Sequence, residues 1–487
     1  MSSPRAGALD TGQTVPPAPP ADRGLGPLVA TLLVVSLLGA LEITIVGSSL
    51  ATLVRDLGGV SAIGWVVTAY VLAATVATPV LGQLGDIHGR RPVFLAALAV
   101  FVGGTALCGL APSVVVLVLA RVLQGVGSAG TSLLSQTILA DVLPPRRRPQ
   151  IMGLLASVFA VATIVGPLVG GVLTDTVGWR WGFLGIVPLG LVALVAAVRV
   201  IPVGTRFSGT TFDTAGAVLL GLVLASFVLV LALAPTLGWT APATLGLLAV
   251  GALAAVLGVR QELCAEHPVL PLRLMRDRIV VGALVLAVVH GGGLLAVIAY
   301  LPAYTQLHYG TSATVAGALP LSLVLGLLIS SNGAGALIAR TGRYSIYPIA
   351  GSALAAAVLA LALPGLPMTW LCAGLFLLGL GGGSFMHLPV VIVQNEAAHD
   401  QVGVATSAVT LVRQAASAIG TAAIGATIAA ALVGASSAEG LSTAYTAAMV
   451  PILAVLCLVF LVGCVVSVVT PGVVLRRSQG EADHGAV

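Results

Sequence analysis

What most constrains this chain is a procession of apolar runs, cut by short polar stretches, along nearly its whole length. The runs lie near 27–54, 62–84, 93–111, 113–142, 150–176, 181–201, 214–235, 241–262, 279–307, 312–339, 345–365, 369–394, 402–433 and 443–470. Each holds about 20 residues or more, enough for a helix to cross a hydrocarbon core ~30 Å thick. A chain that is 58% hydrophobic and only 8% charged stands apart from soluble domains, where roughly 25% of residues are charged. The expected class is an all-α membrane protein of about fourteen spans. Glycine inside the runs suits close packing between membrane helices.

Charge placement orients the chain. With the N-terminus inside, 17 of the 21 basic residues, all arginine, fall on inner segments. Outer segments hold Arg55 and Arg180, while Arg121 and Arg413 lie within spans. That bias places both termini in the cytoplasm. Clustered between apolar runs, the arginines form no basic face for nucleic acid. Five cysteines without a CxxC pair read as small buried hydrophobes. Residues 1–26, rich in Pro, Ala, Gly and Ser, read as a disordered cytosolic tail. They are not a cleavable signal, because the apolar run that follows is too long.

A polar, glycine-rich turn from Leu81 to Phe94 sits between two apolar runs, and a weaker copy spans Ala334 to Tyr347. A shift of 253 residues superposes Gly82 on Gly335, Leu84 on Leu337, Gly89 on Gly342 and Arg90 on Arg343. Such a repeat implies two related halves with a site between them near the midplane. The division is a six-helix bundle at 27–201, two inserted helices with their linker at 202–278, a second six-helix bundle at 279–470, and a cytosolic tail at 471–487.

Several motifs now resemble those of one family. Gly82-x-Leu84-Gly85-Asp86-x-x-Gly89-Arg90-Arg91 resembles the loop between spans two and three of the major facilitator superfamily. Arg121-x-x-Gln124-Gly125-x-Gly127 resembles its span-four signature. Gly166-Pro167-x-x-Gly170-Gly171, with Trp179-Arg180-Trp181-x-Phe183 after it, resembles span five of the antiporter branch. Leu41-Glu42-x-Thr44-Ile45-Val46 and Arg413-Gln414 resemble spans one and thirteen of the fourteen-span proton-driven drug exporters. Glu42, Gly47 and Ala51 stand where the first-span signature usually has aspartate, asparagine and proline, and Ala339 replaces the counterpart of Asp86. The resemblance implies a major facilitator fold of two six-helix bundles plus two inserted helices.

Glu42 is the sharpest candidate for proton coupling, being the lone ionisable group between Leu28 and Val54. A carboxylate near mid-bilayer must be paired, solvated or protonated, so its protonation answers to what occupies the cavity. Arg121 lies at a similar depth, as its electrostatic partner or as a tie between backbone carbonyls of adjacent spans. Gly82, Gly85, Asp86, Gly89, Arg90 and Arg91 form a cytosolic latch, which by resemblance stabilises the state closed to the cytosol. The triplet Arg146-Arg147-Arg148 reads as a topology determinant. Gly166, Pro167, Gly170 and Gly171 let span five bend and pack closely, and the resemblance adds antiport. Trp65, Tyr70, Gln124, His290, Tyr300, Asn332 and Arg413 are candidates for a substrate cavity. His387, Asn332, Gln394 and Asn395 read first as interhelical hydrogen-bonders.

The function these features imply is export of amphipathic, drug-like molecules in exchange for protons, by alternating access at the cell membrane. The alternative is a dedicated exporter of one metabolite, lipid or antibiotic; a channel is the remote one. No HExxH, G-x-S-x-G or intramembrane carboxylate pair supports an enzyme, and no P-loop supports ATP as the driver. The expected partners are a small-molecule substrate, protons and the bilayer, with a monomeric chain, no metal and no cofactor.

Overall fold

Apolar runs of this length fold as helices because a bilayer offers a backbone N–H or carbonyl no partner except the next turn. The computed structural model describes residues 25–57, 63–145, 147–203, 213–265, 277–310, 319–361, 367–397, 401–432 and 438–470. The helices of the first half are α1 (Leu25–Leu57), α2 (Ile63–His88), α3 (Arg90–Leu110), α4 (Val114–Val142), α5 (Arg148–Thr176), α6 (Arg180–Leu184) and α7 (Ile186–Val200). Between the halves come α8 (Thr214–Leu237) and α9 (Pro242–Cys264). The second half holds α10 (Arg278–Tyr309), α11 (Pro320–Thr341), α12 (Ile346–Leu361), α13 (Met368–Gly383), α14 (Leu388–Glu396), α15 (Val402–Leu432) and α16 (Ala438–Val469). Among the described residues no strand occurs.

Local chemistry sets the helix ends. Ser113, Asp213 and Asp277 cap α4, α8 and α10 by accepting from the backbone N–H of Val116, Gly216 and Ile279. Proline opens α9, α11 and α14, where its missing N–H costs nothing. A single residue, Gly89, separates α2 from α3 at φ 91°, and its repeat partner Gly342 ends α11 at φ 70°. Both turns use a positive φ that favours glycine, but ψ differs, 141° at Gly89 and −6° at Gly342, so the two copies share a sequence pattern and not one backbone conformation.

Among the described residues, ten helical stretches are long and apolar enough to cross a membrane, and three shorter apolar helices accompany them. Two runs are not continuous helices. The run 181–201 divides at Gly185 into α6 and α7. The run 369–394 breaks between Gly383 and Leu388, so the twelfth is built from α13 and α14.

Packing follows the repeat. In the first half α4 packs on α2 and α3, and α1 on α5; in the second, α11 packs on α13, and α10 and α12 on α16. The halves meet along two seams, α5 against α11 and α2 with α4 against α15. The inserted α8 and α9 pair with each other, and α8 leans on α2. Much of α9 is exposed, with Leu253, Val256 and Val259 on its surface, as expected of a helix facing lipid rather than water.

Candidate functional site: a buried ion pair and a latch between the halves

Glu42 on α1 and Arg121 on α4 form an ion pair in the interior of the first half, Oε1 of the carboxylate with an Nη of the guanidinium. The two residues are 1% and 2% exposed. Such burial, for groups this polar, demands further partners. Arg121 also donates to the Val66 carbonyl at 3.0 Å and to Gln124 Oε1 at 2.7 Å. Its guanidinium lies 4.2 Å from the Tyr70 ring centroid, a cation–π contact strengthened by the dry surroundings. Gln124 passes the network on, donating to Thr105 Oγ1 at 2.8 Å, and Tyr70 OH donates to Ser128 Oγ at 2.6 Å.

One atom is left over. Glu42 Oε2 is buried and has no hydrogen-bond partner among the described residues. A carboxylate with one oxygen held by arginine and the other bare is a half-satisfied group. It can gain a proton on the bare oxygen without dismantling the rest of the network.

A second centre joins the end of α2 to the start of α15. Asp86 accepts from the backbone N–H groups of Gly403 at 3.2 Å and Val404 at 3.0 Å. These are among the unpaired donors of the first turn of α15, where a helix favours negative charge. Arg90 donates to Asp86 at 3.1 Å and to the Thr137 carbonyl at 2.9 Å, and pairs with Asp141. Gly82 lies where a Cβ would stand 3.1 Å from the Gly403 carbonyl, and at Gly85 it would stand 2.7 Å from Leu134. Arg91 points the other way, donating to the Val198 carbonyl of α7 at 2.6 Å.

Further ties cross the seams nearby. Arg148 donates to the Ala140 and Leu143 carbonyls that end α4, and to the Gln394 carbonyl of α14 at 3.5 Å. It is thus a strut between halves as well as an inner charge. Arg147 is exposed and Arg146 lies outside the described residues. Gln394 donates to the Gln136 carbonyl at 3.4 Å and to Thr406 Oγ1 at 3.1 Å. Asn332 donates across the other seam to Ser157 Oγ.

The remaining candidates scatter. Tyr70 and Gln124 belong to the ion-pair network, fully enclosed, rather than to an open cavity wall. Trp65 is exposed, and the Tyr300 side chain lies outside the described ones. Asn332 serves the seam. On α5, a Cβ at Gly166 would strike Thr44 Oγ1, two residues from Glu42, so this glycine lets α5 touch α1 beside the ion pair. Gly171 has open space around it, and the Pro167 side chain is not described. His290 is buried on α10, edge-on to Phe385 at 6.1 Å between ring centroids. Arg413 packs with its backbone against Gly291.

Sequence reasoning missed Gly403 and Val404, whose contribution is backbone and leaves no side-chain signature. It also missed Thr105 and Ser128, ordinary polar residues until the helices are packed. The break at Ser384–His387 did have a signal, three glycines followed by a proline at Pro389.

A family model described as Major Facilitator Superfamily matches residues 32–421. An uncharacterized MFS-type transporter of Mycobacterium tuberculosis is 39% identical over 433 residues, covering 85% of this chain and 62% of that protein. The chain therefore spans less than two thirds of that relative's length. Multidrug resistance protein 3 of Bacillus subtilis is 29% identical over 372 residues, 76% of this chain and 73% of the relative. Among solved structures, the human organic anion transporter MFSD10 superposes with a TM-score of 0.67 at 17% identity, covering 91% of this chain and 99% of that one. At that identity the likeness is one of fold alone.

Proposed function

The chain belongs to the Major Facilitator Superfamily, and from that premise we propose that it exports amphipathic small molecules in exchange for protons, by alternating access. The observation that carries the proton half of this reading is the bare Oε2 of Glu42 beside an Oε1 held by Arg121. A proton bound there neutralises the carboxylate and loosens the hold of Arg121, which ties α1 to the α2 carbonyl of Val66 and to α4. Protonation then couples to how α1, α2 and α4 sit together. The multidrug name of the Bacillus subtilis relative supports the drug half.

The latch supports alternating access. Asp86, Arg90 and the start of α15 hold the arginine-rich end shut, and opening that end means breaking the two charge-assisted hydrogen bonds that the Gly403 and Val404 N–H groups donate to Asp86. Fourteen crossings complete the architecture: the ten long stretches, the three shorter apolar helices at Thr214–Val230, Arg278–Leu294 and Ile346–Ala360, and α5. Within it, 27–201 and 279–470 act as the two rocking bundles and 202–278 rides on the first, with both termini cytoplasmic, no cofactor and a monomeric unit.

The test is transport by purified protein in liposomes carrying an imposed pH gradient, with ethidium as the cationic amphiphile. Ethidium movement that follows the gradient and stops with a protonophore is the expected result. Movement indifferent to the gradient would overturn proton exchange, and none for any compound in a toxicity panel would overturn multidrug export.

A further inference from the structure

The first-span signature contains a polar residue that the ion pair leaves unused. Thr44 lies two positions after Glu42, about 200° further round α1. The carboxylate therefore meets α4 while the threonine meets α5. Thr44 Oγ1 stands 2.9 Å from the Leu41 carbonyl and 3.3 Å from that of Ala40, both in its own helix, and 3.1 Å from the Ala162 carbonyl of α5. Back-bonding to the preceding turn is ordinary for a helical threonine, as Thr75 and Thr78 show at 2.7 Å each. The bond to a second helix is not.

The face of α5 is shaped to receive this hydroxyl. Ala162 is fully buried. One turn on, at Gly166, a Cβ would strike Thr44 Oγ1 and stand 2.7 Å from Thr44 Cβ. Glycine there lets the α5 backbone close on the threonine. The same helix meets the second half. A Cβ at Gly153 would stand 2.8 Å from the Ser331 carbonyl of α11, and Ser157 accepts from Asn332. Thr44 thus ties the helix that carries Glu42 to a helix that forms the seam.

The ion pair leaves α1 little rotational slack. Arg121 is held by the Val66 carbonyl, Gln124 and the Tyr70 ring, so it cannot follow α1 freely. A side-chain tip lies ~5–6 Å from the axis of its helix. Turning α1 by about 20° would carry the Glu42 carboxylate through about 2 Å, beyond the hydrogen-bond reach of a fixed donor.

We propose that Thr44 is a positioning residue for Glu42: its hydroxyl, given to the Ala162 carbonyl, sets the rotation of α1 at which the carboxylate meets Arg121. It touches neither the proton nor the substrate. The role rests on the reading of Glu42 as the proton site and adds α5 to the helices that hold that site in place.

The experiment uses the purified full-length chain in detergent and in liposomes. Infrared difference spectra, each protein against its own Glu42→Gln derivative, isolate the bands of the Glu42 carboxyl group, protonated or ionised. Thr44→Ala removes the hydroxyl and installs a good helix former, so it should fold, and its Glu42 bands should move from their wild-type positions. Thr44→Val, which keeps the branched shape, should act alike, and Thr44→Ser, which keeps the hydroxyl, should return the bands. In liposomes with an imposed pH gradient, Thr44→Ala should accumulate ethidium about two- to tenfold more slowly than wild type, the scale of one neutral hydrogen bond. Counterflow should stay within about twofold, and Thr44→Ser should restore the driven rate. Bands unmoved by both Thr44→Ala and Thr44→Val, or moved as far by Thr44→Ser, would overturn the positioning role. So would driven and counterflow rates that fall in proportion. Wild-type ethidium movement that ignores the gradient, alongside Glu42 bands that answer to Thr44, would sink proton exchange and leave the role of Thr44 standing.

Discussion

Asp86 and Gly403, 317 positions apart in the chain, are joined by a hydrogen bond of 3.2 Å from the glycine N–H to the carboxylate. The bond brings the end of α2 onto the start of α15 and so holds one half to the other. A Cβ at 403 would stand 2.5–2.7 Å from the Asp86 carboxylate group, so any larger residue there must push that carboxylate off the helix start.

Replacing Asp86 by Asn keeps the shape and removes the charge that both Arg90 and the helix start require. A charge at a helix N-terminus contributes about 0.3–2 kcal/mol, so the closed form should lose several-fold in population. Turnover should fall while substrate affinity changes little, measured as transport rate against equilibrium binding. Gly403→Ala should act the same way, and the double variant should be no worse than either alone, since both remove one contact. Additive losses would show that the two residues act apart.

Gln124 links Arg121 to Thr105 through hydrogen bonds of 2.7 and 2.8 Å. Gln124→Leu leaves the arginine short of an acceptor and Thr105 without its donor, a cost of about 1–3 kcal/mol. The variant should unfold at a lower temperature in detergent than wild type. It should also transport with an altered dependence on pH, because the guanidinium is freer to shift towards Glu42. A lowered Tm with an unchanged pH profile would confine Gln124 to a structural role.

Trp179, 1% exposed, donates to Asp56 at 3.0 Å and carries Arg180 over its ring at 4.4 Å. It pins the α5–α6 turn to the end of α1. Trp179→Phe keeps most of the ring and loses the bond to Asp56, which should cost about 0.5–1.5 kcal/mol. Thermal unfolding in detergent should register that loss, with the rate of transport in folded protein nearly unchanged.

Much of this architecture is legible in the chain because a bilayer reads hydropathy almost directly. The pairing of Glu42 with Arg121 was legible as well: two isolated charges at matching depths have few other places to go. The helix break at Ser384–His387 was harder, since apolar residues run through it and hydropathy records no change of direction. Gln124 reads as a cavity candidate, and Asn332 as a cavity candidate or an interhelical hydrogen-bonder, because a polar residue in a span looks the same whether it faces substrate or a neighbouring helix. Packing decides between the two. For the same reason Arg148 read as an orientation signal, although three carbonyls, one from the opposite half, lie within its reach.

The most direct measurement of the account replaces Glu42 by Gln and compares two modes of transport in liposomes. Gln cannot exchange a proton, yet its side chain can still accept from Arg121 through its carbonyl oxygen. The variant should lose accumulation driven by a pH gradient and keep substrate counterflow, in which no proton need move. Gradient-driven accumulation at the wild-type rate would contradict the account and take proton coupling away from Glu42.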